Sequence, residues 1–240
     1  VTRALALAAA SAACLLAAGC AARSESSEES SDPFVAAFRS IRPAVVLFTM
    51  RIPSDDPHRK GQWDDGYGSG VAVASDATGT QILTVEHVIE DARNLRVTLD
   101  DRRSVPARVV AADANADLAL VRIDVPNRPV ARLGRSAGIE AGTAIGLAGY
   151  PIPDAFQDEK LGMRISVYSG RVSSIRNDAL ELDLPVIPGE SGGPIFDART
   201  GNVVALAESR FDDERAIGFG VPIEDAERFL AAVSAPRRSK

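Results

Sequence analysis

The chain is predicted to be all-β, with two lobes of about six strands each and a short helix at either end of the folded part. Three observations lead there. Twelve short runs rich in β-branched and apolar residues are separated by turn formers such as Asp76, Gly79, Asp100 and Asp101. The runs fall into two sets on either side of RLGRSAGIEAG, residues 132–142, which suggests two barrels or sandwiches. The clearest helix signals flank them, at DPFVAAFRS (32–40) and IEDAERFLAAV (223–233).

Taken in order, residues 1–20 carry one positive charge, Arg3, and then an uncharged Ala/Leu-rich run to Cys20. That pattern reads as an export signal, too short and too rich in small residues for a comfortable membrane span. Its end, LLAAGC, resembles a bacterial lipobox, which implies lipid attachment at Cys20; Ala17 departs from the usual leucine, and ordinary secretory cleavage is the alternative. The resemblance implies an extracytoplasmic location, as a membrane-anchored lipoprotein of a bacterial cell envelope or else secreted or periplasmic. Residues 21–32 are Ser/Glu-rich and read as a disordered tether. Asp32 as N-cap and Pro33 at the first helical position open a short helix.

The first strand set is AVVLFTM (44–50), GSGVAVA (68–74), QILTV (81–85), LRVTL (95–99), VPARVVAAD (105–113) and LALVRI (118–123), within a lobe of about 41–133. The second is GTAIGLAGY (142–150), ISVYSGRVSSI (165–175), ALELDL (179–184), GPIFD (193–197), NVVALAES (202–209) and AIGFGVP (216–222), within 142–222. The long polar stretch 51–70 reads as a mobile surface loop holding a solvated His58. A C-terminal helix over 223–233 and a tail over 234–240 complete the chain.

Composition narrows the function. The chain is 45% hydrophobic and 25% charged, as in globular proteins, and its net charge of −6 comes with no basic block, which argues against nucleic-acid binding. Both cysteines, Cys14 and Cys20, lie in the leader, so the body has neither disulfide nor thiol nucleophile. With only His58 and His87 in the chain, no metal site is expected.

Three residues carry candidate chemistry. His87 stands where the apolar ILTV gives way to a helical turn, Asp117 immediately precedes an apolar strand, and Ser191 sits in PGESGGPIF (188–196). Singly, each has an ordinary reading as a packed histidine, a strand-end cap or a Gly-rich turn. Together they supply a serine, a base for its proton and a carboxylate to orient that base, in the order His, Asp, Ser. The glycines then gain a purpose, because Gly189 and Ser191 would point backbone N–H groups at a developing oxyanion.

The phrases GSGVAVASDATGTQILTVEHVIEDA, DANADLALV, SVYSGRVSSI, PGESGGPI and IGFGVPI resemble the successive landmarks of Deg/HtrA-type trypsin-like serine proteases, from about residue 34 to 233. The resemblance implies a chymotrypsin-like double β-barrel and endopeptidase activity on polypeptide substrates with no cofactor. It makes His87 the general base, Asp117 its orienter, Ser191 the nucleophile, and Gly189 with Ser191 the oxyanion hole. The chain departs from the family by ending too early for the common PDZ domain, and by Glu190 and Ile187 where asparagines are usual. Pro185 occupies the position where trypsin has its specificity aspartate, so a basic preference is not expected. Ala205 and Ala207 would line a modest apolar subsite, with Glu208 and Arg210 nearby. A silent fold that holds peptides by strand addition, or a holdase-type quality-control factor, is the alternative reading, and the oligomeric state is left open.

Overall fold

The computed structural model describes residues 32–177, 179–208 and 217–235. The leader with Cys20, the tether up to Ser31, Arg210 and the tail from 236 on lie outside the described residues.

Helix α1 (Pro33–Ile41) begins as the sequence predicts: the Asp32 carboxylate accepts from the Phe34 N–H at 2.8 Å, and Pro33 follows the cap. Its inner face, Ala37 and Ile41, is buried, and Phe34 stacks on Phe196 with ring centroids 5.8 Å apart. The helix therefore staples the start of the fold to the second lobe.

Strands β1 (Val45–Pro53), β2 (Trp63–Asp76), β3 (Gly79–Thr84), β4 (Arg93–Thr98), β5 (Ser104–Asp113) and β6 (Leu118–Ile123) form a closed antiparallel barrel in the order β1-β2-β3-β6-β5-β4. Strands β7 (Ala144–Gly149), β8 (Ser166–Ile175), β9 (Leu180–Leu182), β10 (Pro194–Asp197), β11 (Val203–Glu208) and β12 (Gly218–Pro222) close a second one, β10-β11-β12-β9-β8-β7. Renumbered from its own first strand, the second barrel has the same order as the first. Closure leaves no long free edge in either.

The interiors are apolar and fully excluded from water, with Phe48, Leu47, Ile82, Leu83, Leu118 and Ile123 in the first barrel and Ile145, Leu147, Leu182 and Ile195 in the second. Each such side chain contributes about 1.5–3 kcal/mol relative to exposure. The first core continues through Ala148, Tyr150 and Phe196 into the second barrel, so the two lobes share one apolar seam. Helix α4 (Ile223–Ser234) buries Ile223, Ala226 and Phe229 along one face and packs against β6, β11 and β12. Among the described residues no helix is long and apolar enough to cross a membrane.

One expectation needs correction. Residues 51–70 are largely a hairpin rather than a loop: Arg51 pairs with Asp65, Ile52 with Asp64 and Pro53 with Trp63. Its faces are polar, so hydrophobic alternation is missing; ladder bonds, the Arg51–Asp65 contact at 3.4 Å and Arg93 stacked 3.9 Å over Trp63 take its place. His58 is exposed in a 3-10 turn, Pro57–Arg59, at its tip. A short helix, α3 (Pro153–Asp158), lies between β7 and β8, in a stretch with no assignment from sequence. Only six residues long, it offers too little periodicity to read.

Candidate active site

His87 is presented by a single helical turn, α2 (Glu86–Ile89), entered directly from the end of β3. Val88 and Ile89 are buried and anchor that turn. A Cβ on Gly68 of β2 would overlap the Val88 side chain, so the glycine is what lets the turn sit down. Asp117 precedes β6 in a left-handed conformation, φ 48°. Asp tolerates this region better than most residues because its short side chain bonds locally.

The carboxylate that this conformation aims at His87 holds it twice. Oδ1 accepts the His87 backbone N–H at 2.9 Å, and Oδ2 contacts His87 Nδ1 at 2.8 Å. An ionised carboxylate only accepts, so Nδ1 carries the proton and Nε2 is left with its lone pair. Burial pulls the His87 pKa down, but the hydrogen bond and charge of Asp117, with Glu208 and Glu86, overcome that and hold it above 6.5. Burial pushes Asp117 up, and its bonds from the His87 side chain and backbone outweigh that to keep it below the usual carboxylate range. Neither side chain is sealed: His87 is 40% exposed and Asp117 21%.

Ser191 comes from the other barrel, on the turn leading into β10. Gly189 and Gly192 have φ of 95° and 81°. A Cβ on Gly192 would overlap Thr84 Oγ1 and the Ser69 carbonyl, so only glycine fits. The Ser191 carbonyl accepts from the Ser69 N–H at 2.8 Å. Through Ser69 of β2 and Thr84 at the end of β3, the serine turn is thus seated on the strands that lead to His87.

Ser69 does more than seat the turn. Its hydroxyl donates to the Gly189 carbonyl at 2.7 Å and accepts from the Tyr150 N–H at 2.9 Å, joining β2, the end of β7 and the serine turn. With the Gly189 carbonyl held inward, no described residue accepts from the N–H of Gly189 or of Ser191. Gly192 N–H donates to the Ala207 carbonyl and Ala207 N–H to the Gly193 carbonyl, both at 2.8 Å.

Glu190 is fully buried directly before the serine. Its Oε2 accepts the Ile187 N–H at 2.9 Å, and burial raises its pKa to about 7 against the opposing effect of that bond. Of the other expected residues, Pro185 is exposed, while Ala205 and Ala207 are fully buried in β11, paired with β10 and β12. The sequence reading missed Ser69 and Thr84; the one available signal was a lone serine between glycines in the otherwise apolar GSGVAVA. Among the described residues no group of three or more His, Cys, Asp or Glu could hold a metal.

Two closed six-stranded barrels, with a His–Asp pair on one and a glycine-flanked serine on the other, define a chymotrypsin-like double-barrel protein. Residues 68–206 match the trypsin-like peptidase domain, and the chain belongs to that family. It is similar to a putative serine protease HhoB of Synechocystis, 29% identical over 187 residues, covering 73% of this chain and 41% of that protein. A probable periplasmic DegP-like serine endoprotease of Pseudomonas fluorescens is 32% identical over 187 residues, covering 73% and 36%. The chain therefore spans about two fifths of the length of these curated relatives. Among solved structures, the HtrA-type protease AlgW with a tripeptide superposes with a TM-score of 0.68 at 26% identity, covering 84% of this chain and 64% of that one. The serine endoprotease from Yersinia pestis gives 0.67 at 28% identity, covering 83% and 66%.

Proposed function

We propose that this chain is an exported serine endopeptidase that hydrolyses peptide bonds in unfolded or exposed protein segments. The observation that carries the reading is the 2.8 Å contact between His87 Nδ1 and Asp117 Oδ2, which leaves Nε2 as a base. Ser191 Oγ attacks the scissile carbonyl while His87 Nε2 takes its proton, and Asp117 stabilises the imidazolium that forms. The carbonyl oxygen becomes an oxyanion between the N–H groups of Gly189 and Ser191. As the C–N bond breaks, His87 returns the proton to the departing amine and an acyl ester remains on Ser191. Water, deprotonated in turn by His87, attacks that ester; the bond from the acyl carbon to Ser191 Oγ breaks, the new C-terminal acid departs, and His87 returns the proton to Ser191 Oγ.

Pro185 offers no charge to a basic side chain, whereas Ala205 and Ala207, sealed within β11, present no surface to a substrate side chain. Extracytoplasmic placement draws on the periplasmic designation of the Pseudomonas relative and on the leader-like N-terminus, with Cys20 as the lipid acceptor.

A fluorophosphonate probe tests the reading. Mass spectrometry of wild-type protein at neutral pH is expected to find the adduct on Ser191, together with cleavage of casein, and neither in Ser191→Ala. Wild-type protein that takes no probe and cleaves nothing overturns it.

A further inference from the structure

The mechanism above leaves one buried acid unused. Among the described residues the buried polar or charged side chains are Ser69, Thr80, Thr84 and Glu190, and of these only Glu190 can ionise. It adjoins the nucleophile and is 0% exposed. We infer that Glu190 is a positioning residue: as an uncharged carboxyl it ties the Ile187–Ser191 turn into the conformation that leaves the Gly189 and Ser191 N–H groups free. The inference rests on the peptidase reading and deepens it.

The geometry of the tie is local and double. Glu190 Oε2 accepts the Ile187 N–H and the Glu190 N–H donates to the Ile187 carbonyl, both at 2.9 Å, so side chain and main chain close on the same residue. The Glu190 carbonyl in turn accepts the Gly193 N–H at 2.8 Å. Pro188 and Gly189 lie inside this ring, and the direction of the Gly189 N–H follows from it.

The charge state follows from what surrounds the carboxyl. An ionised carboxylate has about four acceptor sites to satisfy, whereas among the described residues this one receives a single N–H and its buried Oε1 has no partner. Tyr168 on β8 is near enough for a charge on Glu190 to raise its phenol pKa, and on β7 a Cβ added at Gly149 would come within 3.3 Å of the Glu190 Cα and Cβ. The Ser69 hydroxyl on β2 is already committed to Gly189 and Tyr150. No arginine, lysine or histidine among the described residues offsets a charge there. A buried charge without a counterion is far more costly than a neutral carboxyl, so the carboxyl holds its proton well above the usual carboxylate range and loses it only as pH rises through neutrality. Ionisation then puts an uncompensated anion behind the nucleophile and loosens the turn. Activity thus needs His87 without its proton and Glu190 with one.

Kinetics from pH 5.5 to 9.5, on a chromogenic peptide, test this with wild type, Glu190→Gln and Glu190→Ala. Wild type is expected to give a bell, and Glu190→Gln, which keeps the acceptor and cannot ionise, to lose the alkaline limb. Glu190→Ala is expected to lose on the order of 10²-fold in kcat, the scale of one oxyanion donor, with KM little changed, and Glu190→Gln to recover most of it. A second measurement needs no turnover: carbon NMR of glutamate-labelled Ser191→Ala protein, with Glu190→Gln in the same background assigning the signal. A Glu190 carboxyl titrating near neutrality is expected. If it titrates in the ordinary range, or if Glu190→Ala keeps wild-type kcat, the inference is overturned while probe labelling of Ser191 still upholds the peptidase reading. No labelling beside a carboxyl titrating near neutrality overturns the peptidase reading, and with it any catalytic role for the tie.

Discussion

The two barrels share one strand order and contribute to the site in opposite ways. The first supplies side chains: His87 from a helical turn after β3 and Asp117 from the residue before β6, joined to each other. The second supplies mainly backbone, a turn whose carbonyls are tied down by Ser69 and β11 so that two N–H groups find no acceptor among the described residues. A side chain that must gain and lose a proton needs contact with solvent and substrate, and His87 is 40% exposed. Backbone dipoles act by being immobile, and Gly189, Gly192 and Gly193 are buried. One architecture therefore holds a mobile proton on one side and fixed donors on the other.

Substitutions can break that contrast, and the largest effect is expected at Ser191, the proposed nucleophile. Ser191→Ala is expected to lower kcat by about 10⁶-fold, and His87→Ala by a similar factor, with the double variant no worse because the two act as a unit. Additive losses in single-turnover assays would contradict a shared proton path. Asp117→Asn comes next, at about 10⁴-fold, because an amide favours the wrong tautomer of His87 while keeping its shape. A loss below tenfold would mean that the first barrel does not orient its base.

The second barrel is probed through its backbone. Gly192→Ala adds a Cβ that overlaps Thr84 and the Ser69 carbonyl at φ 81°, and is expected to reduce kcat/KM by on the order of 10²-fold and to lower Tm by several degrees. Gly61→Ala is its control: φ is 80° but nothing lies within 4 Å, so only backbone strain of about 1–2 kcal/mol is expected, with activity retained. Equal effects at both sites would remove the argument from close approach. Ser69→Ala leaves the Gly189 carbonyl and the Tyr150 N–H without their partner and is expected to lower unfolding free energy by about 1–3 kcal/mol.

The smallest effect is one of pH. Because Asp117 and its acidic neighbours raise the His87 pKa, the acid limb of kcat/KM is expected to have its midpoint above 6.5 in wild type and to move down in Asp117→Asn. The stability linkage runs the other way. Protonated His87 stabilises the folded state fully below about pH 6.5, the unfolded value, and this is lost as pH rises through the raised value. Denaturant titrations at several pH values, beside the rate profile, would separate the two.

Every strand was legible in the sequence, from Val45 in β1 to Gly218 in β12, because residues facing a barrel interior must be apolar whatever else they do. The hairpin at Arg51–Asp65 was not, since polar faces hide the alternation while backbone ladder bonds need no particular side chain. His87, Asp117 and Ser191 could be read as types in a suggestive order. Ser69 could not be read as the clamp on Gly189, nor Glu190 as the tie to Ile187, because a hydroxyl or carboxyl carries no local mark of its partner.

By itself, then, the amino-acid order determined the twelve strands, their division into two lobes and the candidates for proton transfer, all of which rest on local pattern and residue chemistry. Tertiary structure alone decided that β1 closes on β4 and β7 on β10, that an aspartate 30 residues away reaches the His87 ring, and that a serine 120 residues away holds the Gly189 carbonyl. Such contacts depend on where closed barrels bring distant strand ends, and hydrogen bonds within about 3 Å are set by that closure rather than by neighbours along the chain.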